Sequence, residues 1–149
     1  MPGVSNGQFC PTAYRHARIM PFVFDHALVV GTYLYPIIDI PAGARLFDVG
    51  LTVETAATNG SGTTVASIET SEGTPLVVLG STAINLESTG HYNFATAAGS
   101  GGPASVVTCR RKFAARATLN LKVVIATADA TVSAAGLIYV GFFDENLSA

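Results

Sequence analysis

Phe47, Val49, Leu51 and Val53 alternate with Asp48, Gly50, Thr52 and Glu54. That is the period-two signature of a strand with one buried face. The same period runs through Leu119, Leu121, Val123 and Ile125, set between Thr118, Asn120, Lys122 and Val124. Further strands are expected at 27–38, 63–69, 75–79, 91–95, 104–113 and 131–143, several of them rich in Val, Ile, Thr, Tyr or Phe, which suit a pleated sheet. Turn chemistry separates them at Pro41-Ala42-Gly43, Asn59-Gly60-Ser61-Gly62, Ser71-Glu72-Gly73, Ser88-Thr89-Gly90 and Gly99-Ser100-Gly101-Gly102-Pro103. No segment fits a helix of useful length, and Ala95–Ala98 runs straight into glycines. About eight short strands predict an all-β, single antiparallel β-sandwich over residues 25–149, most simply a jelly roll.

Two segments break the pattern. In 131–143 one face carries Val132, Ala134, Ile138, Val140 and Phe142, and the other Ala135, Leu137, Tyr139 and Phe143. Neither face suits water, so the second is expected to lie under the protein's own arm or against a neighbouring subunit. Residues 1–24 hold three prolines and no sustained period, and read as an extended arm ahead of the domain. The arm also holds Phe9, Tyr14, Ile19, Met20 and Phe22 beside Arg15 and Arg18. A disordered tail is normally poorer in such residues, so the arm is expected to pack on a partner. The candidate interface is Phe9, Tyr14, Arg15, Arg18, Phe22, Leu137, Tyr139 and Phe143.

Composition sharpens this picture. Of 149 residues, 49% are apolar and 12% charged, against about 25% charged in a typical domain. No apolar run approaches the length of a membrane-spanning helix, so a partner-covered surface accounts for the shortage of charge, and a homotrimer is expected. The net charge of -2 lacks the basic excess of a nucleic-acid binder. Cys10 and Cys109 belong to no metal-ligand spacing and read as free thiols. The first residues show no signal-peptide pattern, which predicts assembly in a cytoplasm.

Candidate chemistry is sparse. His16, His26 and His91 form no metal motif, and no nucleophile elbow, phosphate loop or dinucleotide fingerprint occurs. Asp25 and His26 are adjacent, but neighbours on a strand point to opposite faces. The Arg110-Arg111-Lys112 cluster with Arg116 has only Phe113 near it as a stacking platform and reads as a solvated strand end or a salt-bridging interface. The expectation is a non-enzymatic protein with no cofactor, no metal, no small-molecule substrate, and neither nucleic acid nor membrane as partner.

The segment Ile40-Pro41-Ala42-Gly43-Ala44-Arg45-Leu46-Phe47-Asp48-Val49-Gly50-Leu51-Thr52-Val53 feeds a turn into a long alternating strand. Ile84-Asn85-Leu86-Glu87-Ser88-Thr89-Gly90 and the closing Leu137-Ile138-Tyr139-Val140-Gly141-Phe142 follow. Across roughly residues 28–143 this layout resembles small β-sandwich structural proteins of tailed bacteriophages, particularly head decoration (capsid cement) proteins. The resemblance implies a virion component, usually trimeric, that sits on the capsid surface, binds the major capsid protein and clamps neighbouring capsomers. It carries over no functional residue. The alternative is a receptor- or glycan-binding module of a phage tail or fibre.

Overall fold

The computed structural model describes residues 14–24, 30–58, 63–93, 112–127 and 133–144. They form eight strands and no helix: β1 (Tyr14–Phe24), β2 (Gly31–Ile40), β3 (Ala44–Thr55), β4 (Thr63–Thr70), β5 (Val77–Asn85), β6 (Gly90–Asn93), β7 (Ala117–Thr127) and β8 (Ala134–Asp144). Two four-stranded sheets result, ordered β1-β8-β3-β6 and β2-β7-β4-β5. They are named here the β8 sheet and the β7 sheet. All pairings are antiparallel, and β1 pairs with β8, β2 with β7, β3 with β6 and β4 with β5. A long hairpin folded over on itself gives this nested order, which is the jelly roll.

The alternating strands behave as their period requires. Leu46, Val49, Leu51 and Val53 of β3 and Leu119, Leu121, Val123 and Ile125 of β7 turn inward and are buried. Ile68 of β4 and Val140 of β8 join them in one core between the sheets. Each such side chain contributes about 1.5–3 kcal/mol of hydrophobic stabilisation. The β2–β3 turn needs its glycine: Gly43 sits at φ 86°, where a side chain is strained, and its N–H donates to the Phe113 carbonyl at 2.7 Å. Phe113 is itself buried, and its N–H donates back to the Ala44 carbonyl at 2.8 Å.

The start of the sandwich differs from expectation. Tyr14–Phe24, expected within an arm ahead of a domain starting at residue 25, is a full strand of the β8 sheet, in register from Tyr14↔Asp144 to Phe24↔Ala134. It lies beside β8 in the plane of the sheet and not across its outer face. Its period was hidden because both of its faces carry apolar residues: Met20 and Phe22 on one, Ile19, Pro21 and Val23 on the other. Pro21 is compatible with this position because β1 is an edge strand, with one side free of ladder partners. Phe22, expected at an interface, is instead in the core, 8% exposed. It pairs with Gly136, whose lack of a side chain leaves room for the ring. β5 extends beyond the expected 75–79, through register shifts against β4. Of the segment 104–113, residues 104–111 lie outside the described residues, as do Phe9, Cys10, Asp25, His26 and Cys109.

Candidate assembly surface

The outer face of the β8 sheet is aromatic and apolar at its centre. β8 runs between β1 and β3 and directs Ala135, Leu137, Tyr139 and Phe143 outward, all half-buried. β1 adds Ile19, Pro21 and Val23, and β3 adds Phe47 beside the bulge between Leu46 and Asp48. Two glycines let the rings lie flat. The Tyr139 ring occupies the place a Gly50 side chain would take, and the Phe47 ring does the same over Gly141. Phe47 also meets Phe143, with centroids 4.8 Å apart and planes at 46°, a favourable tilted geometry.

A small polar group is built into this face. His91 of β6 stacks on Tyr139 at 5.7 Å and 13°. Its Nε2 lies 3.2 Å from the Tyr139 hydroxyl and its Nδ1 2.8 Å from Thr52 Oγ1. A neutral imidazole donates through one nitrogen and accepts through the other, so it can bridge both hydroxyls. Burial pushes the Tyr139 phenol above its ordinary value, and the Asp48 carboxylate adds to the shift, while a hydrogen bond with Asn93 opposes it. Polar groups already joined to one another cost less to cover with a partner than lone ones. The arrangement is a rigid, largely apolar platform with its polar atoms paired.

The outer face of the β7 sheet is different. Asp39 of β2 forms an ion pair with Arg116 and accepts a hydrogen bond from Thr118 Oγ1 at 2.7 Å. The Thr118 hydroxyl, then Arg116, hold the Asp39 carboxyl below its ordinary value. Lys122 of β7 reaches Glu69 of β4 at 3.5 Å. Asn120 and Ser67 share this face with the apolar Leu34, Val65 and Val124.

Of the expected interface residues, Leu137, Tyr139 and Phe143 stand together on the outer β8 face. Arg18 is exposed on β1, paired with Val140. Tyr14 and Arg15 fall at the start of β1, opposite Asp144 and Phe143. Phe9 lies outside the described residues, and Phe22 belongs to the core. Phe47, Thr52 and His91 were not anticipated. Their signal is cross-strand: two glycines, Gly50 and Gly141, each facing an aromatic residue of the neighbouring strand. Between the edge strands β1 and β2 lies an apolar cleft of about 240 Å³, lined by Met20–Val23, Tyr35–Ile37, Leu121 and Ile138. Among the described residues no three His, Cys, Asp or Glu side chains gather into a metal site.

Fold and face define the class: an antiparallel jelly-roll sandwich with one apolar outer sheet face. No family model matches the chain, and no curated protein matches it in sequence. Among solved structures it is similar to the capsid of Ralstonia phage GP4, at 15% identity and a TM-score of 0.51, over 84% of this chain and 83% of that one. It also matches the acid-stable capsid structure of Helicobacter pylori bacteriophage KHP30, at 15% identity and a TM-score of 0.44, over 88% and 92% of the two chains. The first likeness establishes a shared fold.

Proposed function

We propose that this chain is a virion structural protein, a capsid decoration or cement subunit that binds the outer shell through the major capsid protein and stabilises capsomer contacts. The observation that carries the reading is the outer face of the β8 sheet, where Leu137, Tyr139, Phe143 and Phe47 form a rigid apolar platform on a jelly roll. Patches of this kind on small sandwiches mark protein–protein contact. The fold likeness to a phage capsid chain supports the same reading. Residues ahead of Tyr14 serve as an attachment arm, with Phe9 as an anchor, and the subunit works as a homotrimer on the capsid surface, made in the host cytoplasm. Chemistry at a catalytic centre has no part in this role.

The test is co-sedimentation of the purified chain with capsid shells of its phage, followed by cryo-EM of the decorated particle. Binding that is saturable and lost on Leu137→Asp supports the reading. A chain that stays in the supernatant at tens of micromolar overturns it. A second reading, a tail or fibre glycan-binding module, is favoured by one observation: the flat Tyr139 ring ringed by His91, Thr52 and Asn93. Binding to host-cell glycans that is abolished by Tyr139→Ala would select it.

A further inference from the structure

Charge is unevenly placed along the chain. Residues 46–109 hold Asp48, Glu54, Glu69, Glu72 and Glu87 and neither Lys nor Arg; all 8 Lys and Arg lie outside that stretch. The topology turns this into a spatial polarity. β5 and β6 come from the acidic stretch and form one lateral edge of the sandwich, and β1 and β2 form the other. The β1 sequence carries Arg15, His16 and Arg18 and no acid. At the far edge, Glu87 lies in the β5–β6 turn, and exposed Glu54 ends β3 beside β6.

Apolar exposure is polarised in the same direction. Among the described residues the large hydrophobic side chains left exposed are Ile19 (72%), Val23 (66%), Val30 (56%) and Leu34 (57%). All four lie on β1, on β2 or directly before it, and Val23 also lines the apolar cleft. Both edge strands also carry a mid-strand proline, Pro21 and Pro36. A proline has no N–H to offer an incoming strand, so this edge is poorly suited to simple extension of the sheet. What covers it must pack by side chains.

We infer that the β1/β2 edge of one copy packs head to tail against the β5/β6 edge of a second copy, with Arg18 facing the carboxylates of Glu54 and Glu87. This rests on the assembly role proposed above and specifies its self-contact. β1 has 11 residues, roughly 37 Å of strand, and two sheets about 10 Å apart with outward side chains give a side about 20 Å deep. The footprint of about 700 Å² is close to the ~800 Å² per partner of a stable interface. Because two different surfaces meet, the contact is heterologous and builds a closed ring where the rotation closes. Ile19 and Val23, at the β1 rim of the outer β8 face, enter this contact, whereas the centre of that face, with Leu137, Tyr139, Phe143 and Phe47, remains outside it and available to the shell.

Sedimentation velocity of the full chain at tens of micromolar tests this. The wild type runs as a small closed oligomer of the 15.3 kDa chain. Arg18→Glu weakens association at least tenfold, the pair Glu54→Lys with Glu87→Lys does the same, and the three changes combined in one chain restore it. Circular dichroism verifies the fold of each, and Glu54→Lys alone, at an exposed strand end, serves if the pair unfolds. A monomeric wild type, acidic-edge variants that assemble normally, or a folded triple variant that stays dissociated would each overturn the inference. Assembly mutants that still co-sediment with shells as monomers leave the shell-binding role intact, and intact oligomers that ignore shells count against that role alone.

Discussion

Both outer faces of this sandwich rest on the same strand period, yet they end in different chemistry. On the β8 sheet, Tyr139 lies over Gly50 and Phe47 over Gly141, so rings fold down onto the sheet and cover backbone. On the β7 sheet, Asp39, Arg116, Thr118, Lys122 and Glu69 stand in paired charges and hydroxyls. The difference lies in what faces each side chain across the ladder. A glycine opposite an aromatic residue makes a flat apolar surface, whereas opposite charges across strands make a hydrated one. One face is ring-covered and largely apolar; the other sets paired charges and hydroxyls beside Leu34, Val65 and Val124.

The largest effect should come from filling a glycine. Gly50→Val pushes the Tyr139 ring off the sheet and is expected to cost about 3 kcal/mol by overpacking. Asn120→Val, central on the opposite face, should stay within about 0.5 kcal/mol. Urea midpoints of the two variants check this, and equal losses would show that the faces are built alike.

Next comes the double change Tyr139→Ala with Phe143→Ala, expected to weaken shell co-sedimentation about thirtyfold, equivalent to about 2 kcal/mol. Thr118→Ala on the opposite face should leave it unchanged. If Thr118→Ala weakens binding as much, the wrong face has been assigned to the shell.

Lys122→Met sharpens the account of the wetter face. Glu69 is 8% exposed, and without its partner it is a poorly hydrated carboxylate. A loss of about 1 kcal/mol, near 3 °C in Tm, is expected. An unchanged thermal melt would show that the pair contributes nothing.

The smallest effects separate the faces by pH. Asp39 titrates below its ordinary value, so its contribution is present at neutral pH and is lost as acid takes the pH down through its folded value. Asp39→Asn should therefore flatten the acid limb of the stability profile. Tyr139 titrates above the ordinary 10.0 of a phenol. Its contribution is present below pH 10.0 and is lost as the pH rises through the folded value, so Tyr139→Phe should flatten the alkaline limb. Profiles of both variants that match the wild type would remove the pH distinction between the faces.

β3, β4 and β7 were legible from sequence because each has one wet and one dry face, and period two records that contrast directly. β8 was legible for the opposite reason: apolar on both sides, it marked itself as central and its outer face as an unusual surface. β1 escaped because an edge strand with Ile19, Pro21 and Val23 facing outward shows neither pattern. Phe22 was misassigned with it, since its burial depends on Gly136, 114 positions later in the chain. The aromatic platform was half visible. Leu137, Tyr139 and Phe143 share one strand, but Phe47, Thr52 and His91 join them only once β3 and β6 are laid beside β8, and register is not a local property of sequence.

The nested pairing also dictates when folding can finish. β8 sits between β1 and β3 and is the last of the eight described strands to be made. During synthesis β1 therefore waits through every intervening strand with neither side of its backbone paired, and β3 lacks its central neighbour until β8 emerges. Closing so many distant pairs makes folding slow, and it prolongs the time in which unpaired strands can aggregate. A chain interrupted before β8 has no continuous β8 sheet and no Leu137, Tyr139 or Phe143 to present. Only a chain made through β8 can display this outer face, so a particle that used the face for assembly would reject chains interrupted earlier without a separate inspection step.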